Sequence, residues 1–174
     1  MKAKRKELNK EEIESKSRAI CAAFASLESF SAAKTVCVYM DAFNEVKTSY
    51  IIEECKKYTK DIVVPVVSGD DIYLSPFSAE LEKGAFGIWE PADKQVFPKE
   101  KVDIFAVPAL VFDFSGARVG FGKGYYDKLL KNTEGAKVGL CYEFQLKDSI
   151  CREEHDILMD YIISERRVIC CAEG

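Results

Sequence analysis

The chain has 174 residues, 48% apolar and 31% charged, with a formal net charge of -4, an ordinary balance for a globular protein able to bury roughly 70% of its unfolded surface. The acidic excess argues against nucleic acid as the main partner. No apolar run approaches membrane-spanning length, and the start, Met1-Lys2-Ala3-Lys4-Arg5-Lys6, lacks the apolar stretch of a secretory leader, so a cytoplasmic location is expected.

In chain order, Asn9 followed three residues later by Glu12 reads as a capping box. Ile13, Ile20, Ala23, Phe24 and Leu27 then keep helical spacing. Residues 35–40 are β-branched and apolar and predict a strand. Thr48 caps a second helix, with Ile51, Ile52, Cys55 and Tyr58 on one face. Residues 61–67 are nearly all apolar, as a strand covered on both faces requires. Ser68-Gly69-Asp70-Asp71 is a turn, and 72–74 a short strand. Residues 78–101 are polar and carry Pro91 and Pro98, which predicts irregular surface backbone. A third main strand is expected over 102–107, a helix over 125–131 with Tyr126, Leu129 and Leu130 inward, a fourth strand over 136–142 and a fifth over 161–164.

This alternation of strand and helix predicts an α/β fold: one layered domain over 1–174, a mostly parallel central sheet flanked by helices. A monomer is expected. The seven cysteines do not read as a disulfide framework, since the count is odd and no CxxC spacing occurs. Cys21, Cys37, Cys55 and Cys141 sit in apolar periodic segments, where cysteine acts as a small hydrophobe. One histidine, His155, and no Cys/His cluster argue against zinc.

The most distinctive run is Arg118-Val119-Gly120-Phe121-Gly122-Lys123-Gly124-Tyr125-Tyr126-Asp127, after the apolar stretch 107–113. Bare backbone and two cations at a strand-to-helix turn suit an anion, usually phosphate. A guanidinium offers forked donors to phosphate oxygens, a lysine a point charge. Asp127 stands where a magnesium ligand can sit, or where a first-turn carboxylate merely complements a helix dipole. The run is neither a Walker loop, which needs Ser or Thr after Gly122-Lys123, nor a dinucleotide fingerprint, which needs glycine at Tyr125. A plain glycine-rich turn capping a helix is the competing reading.

The full run resembles the signature of the 5-formyltetrahydrofolate cyclo-ligase family, roughly R-[LV]-G-x-G-[GK]-G-[YF]-Y-D after P-x-L-x-F-D. The second part is similar to Pro108-Ala109-Leu110-Val111-Phe112-Asp113. Glu45-Val46-Lys47-Thr48, Val63-Val64-Pro65-Val66-Val67 and Gly84-Ala85-Phe86-Gly87-Ile88-Trp89-Glu90-Pro91 resemble further family segments, so the likeness spans about residues 10 to 165. The resemblance implies magnesium-dependent use of ATP to close 5-formyltetrahydrofolate into 5,10-methenyltetrahydrofolate, with release of ADP and phosphate. It implies an ATP site over Arg118, Val119, Gly120, Phe121, Gly122, Lys123, Gly124, Tyr125 and Tyr126, with Arg118 and Lys123 catalytic. The folate would lie against Met40, Glu45, Phe121, Gly122, Lys123, Gly124 and Tyr125. Asp127 and Asp156 would hold Mg2+. Phe86 and Trp89, read as aromatics in a Gly/Pro-flanked loop, suit either stacking on the folate rings or core packing.

Relatives usually carry a further basic segment of the kind K-x-x-L-R, which here would begin before Met1, leaving Lys2, Lys4, Arg5 and Lys6. A folate-binding or regulatory homologue with weak turnover is therefore the alternative. A sugar-phosphate isomerase or acyl-transfer enzyme on a similar fold is a third reading, which the complete run argues against.

Overall fold

The structure, a computed structural model, describes residues 1–151, 153 and 156–171. It opens on a short helix, α1 (Lys2–Glu7), and a long one, α2 (Lys10–Ala25). The capping box sets the start of α2: the Asn9 side chain accepts the Glu12 N–H at 2.9 Å, and the Glu12 carboxylate accepts the Asn9 N–H at 3.0 Å. Ile13, Ile20, Cys21 and Phe24 form its buried face. Next come α3 (Glu28–Ala32), β1 (Thr35–Cys37), α4 (Ser49–Lys57), β2 (Asp61–Ser68) and β3 (Asp71–Pro76). A small hairpin, β4 (Leu81–Lys83) with β5 (Trp89–Pro91), precedes β6 (Ile104–Pro108), β7 (Val111–Asp113), β8 (Arg118–Val119) and α5 (Tyr125–Leu130). The chain closes with β9 (Ala136–Leu140), β10 (Leu146–Lys147), β11 (Tyr161–Ile163) and β12 (Val168–Cys170).

The central sheet has seven strands in the order β12-β11-β9-β6-β1-β2-β3. The five inner strands pair in parallel, and β12 and β3 are antiparallel edges. Alternation along the strands splits the core in two. Val36, Ile104, Ala106, Val138, Leu140 and Ile163 pack with α2 and α4. Cys37, Phe105, Val107 and Ile162 pack with Leu129 and Leu130 of α5. A strand buried on both faces must be apolar at every position, which is why these segments read as continuous apolar runs. Among the described residues all seven cysteines are free; Cys21, Cys37, Cys55 and Cys141 are buried and burial raises their thiol pKa, to about 12 for Cys21 and Cys55. No helix among the described residues is long and apolar enough to cross a membrane.

Several local expectations change. Strand β1 ends at Cys37, although the Val38 N–H still donates to the Val63 carbonyl at 2.9 Å. Thr48 stands at the N-cap of α4, but its hydroxyl donates to the Tyr39 carbonyl at 2.6 Å instead of capping. Tyr58 lies beyond the end of α4 and is exposed. The segment 78–101 is not wholly irregular, for it holds the β4–β5 hairpin. Gly84 lies against that hairpin, where a Cβ would fall 2.0 Å from the buried Glu90 carboxyl carbon and displace that side chain. The stretch 107–113 is two strands, because β7 leaves β6 to join β8 and β10 in a separate three-stranded sheet. The helices α1 and α3 carry too few apolar repeats to announce themselves.

Asp113 locks the turn that delivers Arg118. Its Oδ1 accepts the Ser115 N–H at 3.0 Å, the Ser115 hydroxyl at 2.7 Å and the Ala117 N–H at 3.1 Å; Oδ2 accepts the Ile150 N–H at 2.9 Å. Burial pushes this carboxyl up, but the Ser115 hydroxyl and the three N–H donors outweigh it and hold it below its ordinary value of 3.8. A depressed folded-state value means the stabilisation is complete above the unfolded value and is lost as pH falls through the folded one. We expect Asp113→Ala to cost about 3 kcal/mol, because it strands buried donors. It should also flatten the acid limb of the urea midpoint plotted against pH. An unchanged midpoint and acid limb would remove Asp113 from this role.

Candidate active site

The parallel strands aim their carboxyl ends at one edge, where ligands of such sheets collect. Beyond β1, Val38 and Tyr39 run on buried to Met40, which packs half-buried against the α2/α4 side of the core. The following loop is braced from within. Asp41 Oδ1 accepts the Thr48 N–H at 3.0 Å, and the Tyr39 hydroxyl donates to the Val46 carbonyl at 2.9 Å. Phe43 and Asn44 both take positive φ, 52° and 57°, which turns the chain so that Glu45 points inward. The Glu45 side chain is only 10% exposed. Its Oε2 accepts the Ala42 N–H at 3.1 Å, and its carbonyl accepts the Tyr142 hydroxyl at 3.1 Å. Burial raises the Glu45 carboxyl, against the Ala42 N–H and Arg5, which pull it down.

At the other side of the site, β8 delivers Arg118. The sequence reading turns this residue toward ligand; the structure turns it to Asp127. Arg118 Nη1 and Nη2 donate to Asp127 Oδ1 at 3.0 and 2.7 Å, and the arginine side chain is 5% exposed. The Ile157 N–H donates to the same oxygen at 3.2 Å. Burial pulls the guanidinium down while Asp127 and Asp156 push it up. Between Arg118 and Asp127 the glycine run stands open. Gly120, Gly122 and Gly124 have no neighbour within 4 Å of an added Cβ, and Gly122 and Gly124 have φ of +84° and +64°. Those two angles need glycine, and the empty flank leaves backbone N–H groups approachable. Tyr125 anchors the far end, its hydroxyl donating to the Gly69 carbonyl at 3.0 Å, and Lys128 donates to the Asp70 carbonyl at 2.7 Å.

These halves meet. The hydroxyl of the half-buried Tyr126 is pushed far up by desolvation, in the electrostatic reach of Cys37, Glu45 and Arg118. Exposed aromatic rings rim the opening: Lys2 Nζ lies 4.7 Å from the Phe121 ring centre, and Lys123 Nζ 5.9 Å from that of Phe86. Trp89 is exposed on the same hairpin, with Lys83 Nζ 5.6 Å from its ring. Val119 and Phe121 are exposed on the run itself. The structure thus gathers Glu45, Arg118, Tyr126, Asp127 and Asp156 into one electrostatic neighbourhood. Lys123 and Phe86 meet at its rim. His155 lies outside the described residues.

One of the N-terminal cations that remain where relatives carry a basic segment belongs here. Arg5 of α1 is 2% exposed, and its Nη1 stands 3.5 Å from Glu45 Oε1. The gap of forty positions hides that pairing from any local pattern. For a divalent ion, Asp127 keeps Oδ2 without a hydrogen bond among the described residues, and Asp156 accepts the Glu153 N–H through Oδ2 alone. Among the described residues no three acidic, His or Cys side chains cluster as a cage. That donor set fits magnesium, which borrows phosphate oxygens and needs one or two carboxylates. A cavity of about 820 Å3 lies away from this edge, among α2, α3 and α4, lined by Arg18, Phe30, Tyr50 and Lys60. It contains none of the residues of the glycine run.

Comparison with known proteins gives a consistent picture. The model of the 5-formyltetrahydrofolate cyclo-ligase family matches residues 1–165. The 5-formyltetrahydrofolate cyclo-ligase of Escherichia coli (strain K12) is 30% identical over 146 residues, covering 78% of this chain and 80% of that protein. That of Haemophilus influenzae is 29% identical over 142 residues, 75% and 76% of the two chains. Among solved structures, Aquifex aeolicus 5,10-methenyltetrahydrofolate synthetase superposes with a TM-score of 0.88 at 38% identity, over 99% of this chain and 90% of that one. The Mycoplasma pneumoniae 5,10-methenyltetrahydrofolate synthetase gives 0.76 at 26% identity, over 94% and 93%.

Proposed function

The chain belongs to the 5-formyltetrahydrofolate cyclo-ligase family and is an enzyme of that ligase class; on that premise we propose that it converts 5-formyltetrahydrofolate to 5,10-methenyltetrahydrofolate, using ATP and Mg2+ and releasing ADP and phosphate. The observation that carries the proposal is an open glycine run bearing Lys123 linked to the buried carboxylate of Glu45 by Arg5, which stands 3.5 Å from Glu45 Oε1 and 6.0 Å from the Phe121 ring centre.

In the proposed reaction the formyl oxygen attacks the γ-phosphorus of ATP, an O–P bond forms and the bond to ADP breaks. N10 then attacks the activated carbon, the C–O bond breaks, and phosphate leaves with the former formyl oxygen as N10 releases its proton. Little covalent chemistry falls to the protein, whose task is to position and to neutralise charge. Backbone N–H groups over residues 119–125 and the Lys123 ammonium would hold phosphate oxygens. Arg118 would add its charge from behind Asp127. Asp127 and Asp156 would hold Mg2+, which would supply further neutralisation of phosphate charge. At the folate end Glu45 would accept the ring's N–H donors, and Met40, Phe121 and Tyr125 would line the ring and its tail. We assign these roles over a single domain, residues 1–174, acting as a monomer in the cytoplasm, a compartment that the unpaired buried thiols support.

The test is the near-ultraviolet absorbance of 5,10-methenyltetrahydrofolate after mixing protein, 5-formyltetrahydrofolate and magnesium with or without ATP. A rise that depends on ATP is expected; calorimetric folate binding without any rise would favour a binding-only homologue. Glu45→Gln should raise the KM for the folate roughly 10- to 100-fold, the worth of a charge-assisted hydrogen bond, and leave the KM for ATP unchanged. An unaltered folate KM would take Glu45 out of the site.

A further inference from the structure

Arg5 is the largest fully buried side chain among the described residues, and its burial is poorly compensated. Among the described residues its Nε–H has no hydrogen-bond partner, and Glu45 Oε1 stands 3.5 Å from its Nη1. Placing a guanidinium there costs free energy unless the carboxylate opposite needs it. The chain goes to some length to keep it there. The Asn44 side chain, on the same loop as Glu45, donates to the Arg5 carbonyl at 3.0 Å, and the Phe121 ring lies 6.0 Å from the guanidinium carbon. Helix α1 is thereby fastened to the Glu45 loop on one side and to the glycine run on the other.

Glu45 is held on two sides. The Ala42 N–H fixes Oε2, and Arg5 faces Oε1. We propose that Arg5 is a positioning residue for the folate end of the site: from α1 it pins the Glu45 carboxylate for the ring's N–H donors, so that seating of α1 is a condition of folate binding. This rests on the folate reading of the site. Among the described residues, the charged and titratable groups facing the Glu45 carboxylate are Arg5 from α1, Asp41 from its own loop, Tyr39 beyond β1 and Tyr126 from α5, whereas the Tyr142 hydroxyl is turned to the Glu45 carbonyl. Burial and Asp41 oppose ionisation of Glu45; among these side chains only Arg5 favours it. Both tyrosines are held well above their ordinary value and stay neutral. Removing the guanidinium therefore moves Glu45 ionisation to higher pH.

The experiment is calorimetric binding of 5-formyltetrahydrofolate and, separately, of ATP across pH 5.5–8.5 for the wild type, Arg5→Gln, Arg5→Lys and, as a control on the exposed side of α1, Glu7→Ala. Arg5→Gln should weaken folate binding about 30-fold, the loss expected when one partner of a buried charge pair is removed. It should shift the acid loss of folate binding to higher pH and leave ATP binding within about twofold. Arg5→Lys, which restores the charge without the fork, should recover part of the loss, and Glu7→Ala should match the wild type. A folate affinity and pH profile unchanged in Arg5→Gln would overturn the inference. So would equal losses of folate and ATP binding with no recovery in Arg5→Lys, which would make α1 a general support. A wild type that binds ATP but not the folate would instead defeat the folate reading, and this inference with it.

Discussion

Arg118→Ala should lose both turnover and stability. The Arg118 side chain is 5% exposed and Asp127 24%, and the two share one short, forked contact. Removing the guanidinium leaves a partly buried carboxylate with, among the described residues, the Ile157 N–H alone to answer it. Breaking a buried pair from one side costs about 3–5 kcal/mol, and the partial exposure of Asp127 puts this case near the lower figure. For a chain of this size about 3 kcal/mol is a melting temperature lower by roughly 6–12 °C. Turnover should fall at least about 100-fold, the usual loss when a preorganised charge is taken from the reacting phosphate. Calorimetry and initial rates below the melting range separate the two effects. A melting temperature that does not move would mean the ion pair is not structural, and full activity would take Arg118 out of the reaction.

Lys123→Ala should behave differently, losing turnover and keeping the fold. Lys123 is exposed, and its ammonium lies 5.9 Å from the Phe86 ring centre. Nothing buried depends on it, so the melting temperature should stay within about 1 °C, as for surface substitutions generally. With phosphate bound, the same ammonium is the freest cation of the run, and kcat/KM should drop roughly 100- to 1000-fold. Lys123→Arg should recover part of that through its charge. If the alanine variant turns over normally, the open loop does not bind phosphate through this side chain. The contrast between the two cations, one paired inward and one free at the rim, is what their rate-against-stability profiles should display.

How far the chain could be read without coordinates depended on whether a feature is local. The start of α2 was legible because Asn9 and Glu12 satisfy each other within one turn. The inner strands were legible because both faces of each are covered, leaving little room for a polar residue. The run from Arg118 to Asp127 stood out as a candidate site because it spaces three glycines among two cations, and in the structure those glycines serve no packing purpose. What failed was the direction of side chains and partnerships over distance. Nothing in the run says that Arg118 turns back onto Asp127 nine residues on, and nothing near Arg5 points to Glu45. The β4–β5 hairpin escaped because its polar and proline residues mask the pairing of Leu81, Glu82 and Lys83 with Pro91, Glu90 and Trp89.

The contact between Arg118 and Asp127 also has a meaning in chain statistics. It ties together the two ends of the glycine run, while Tyr125 and Lys128 moor the helix behind it to the β2–β3 turn. Glycine loses more freedom on ordering than any other residue, so an untethered run of this kind would resist being fixed by a ligand. Closing the loop during folding removes much of that freedom in advance, at a cost that grows only slowly with loop length. A phosphate arriving at such a loop meets a nearly finished outline, and more of its interaction energy is left to appear as affinity.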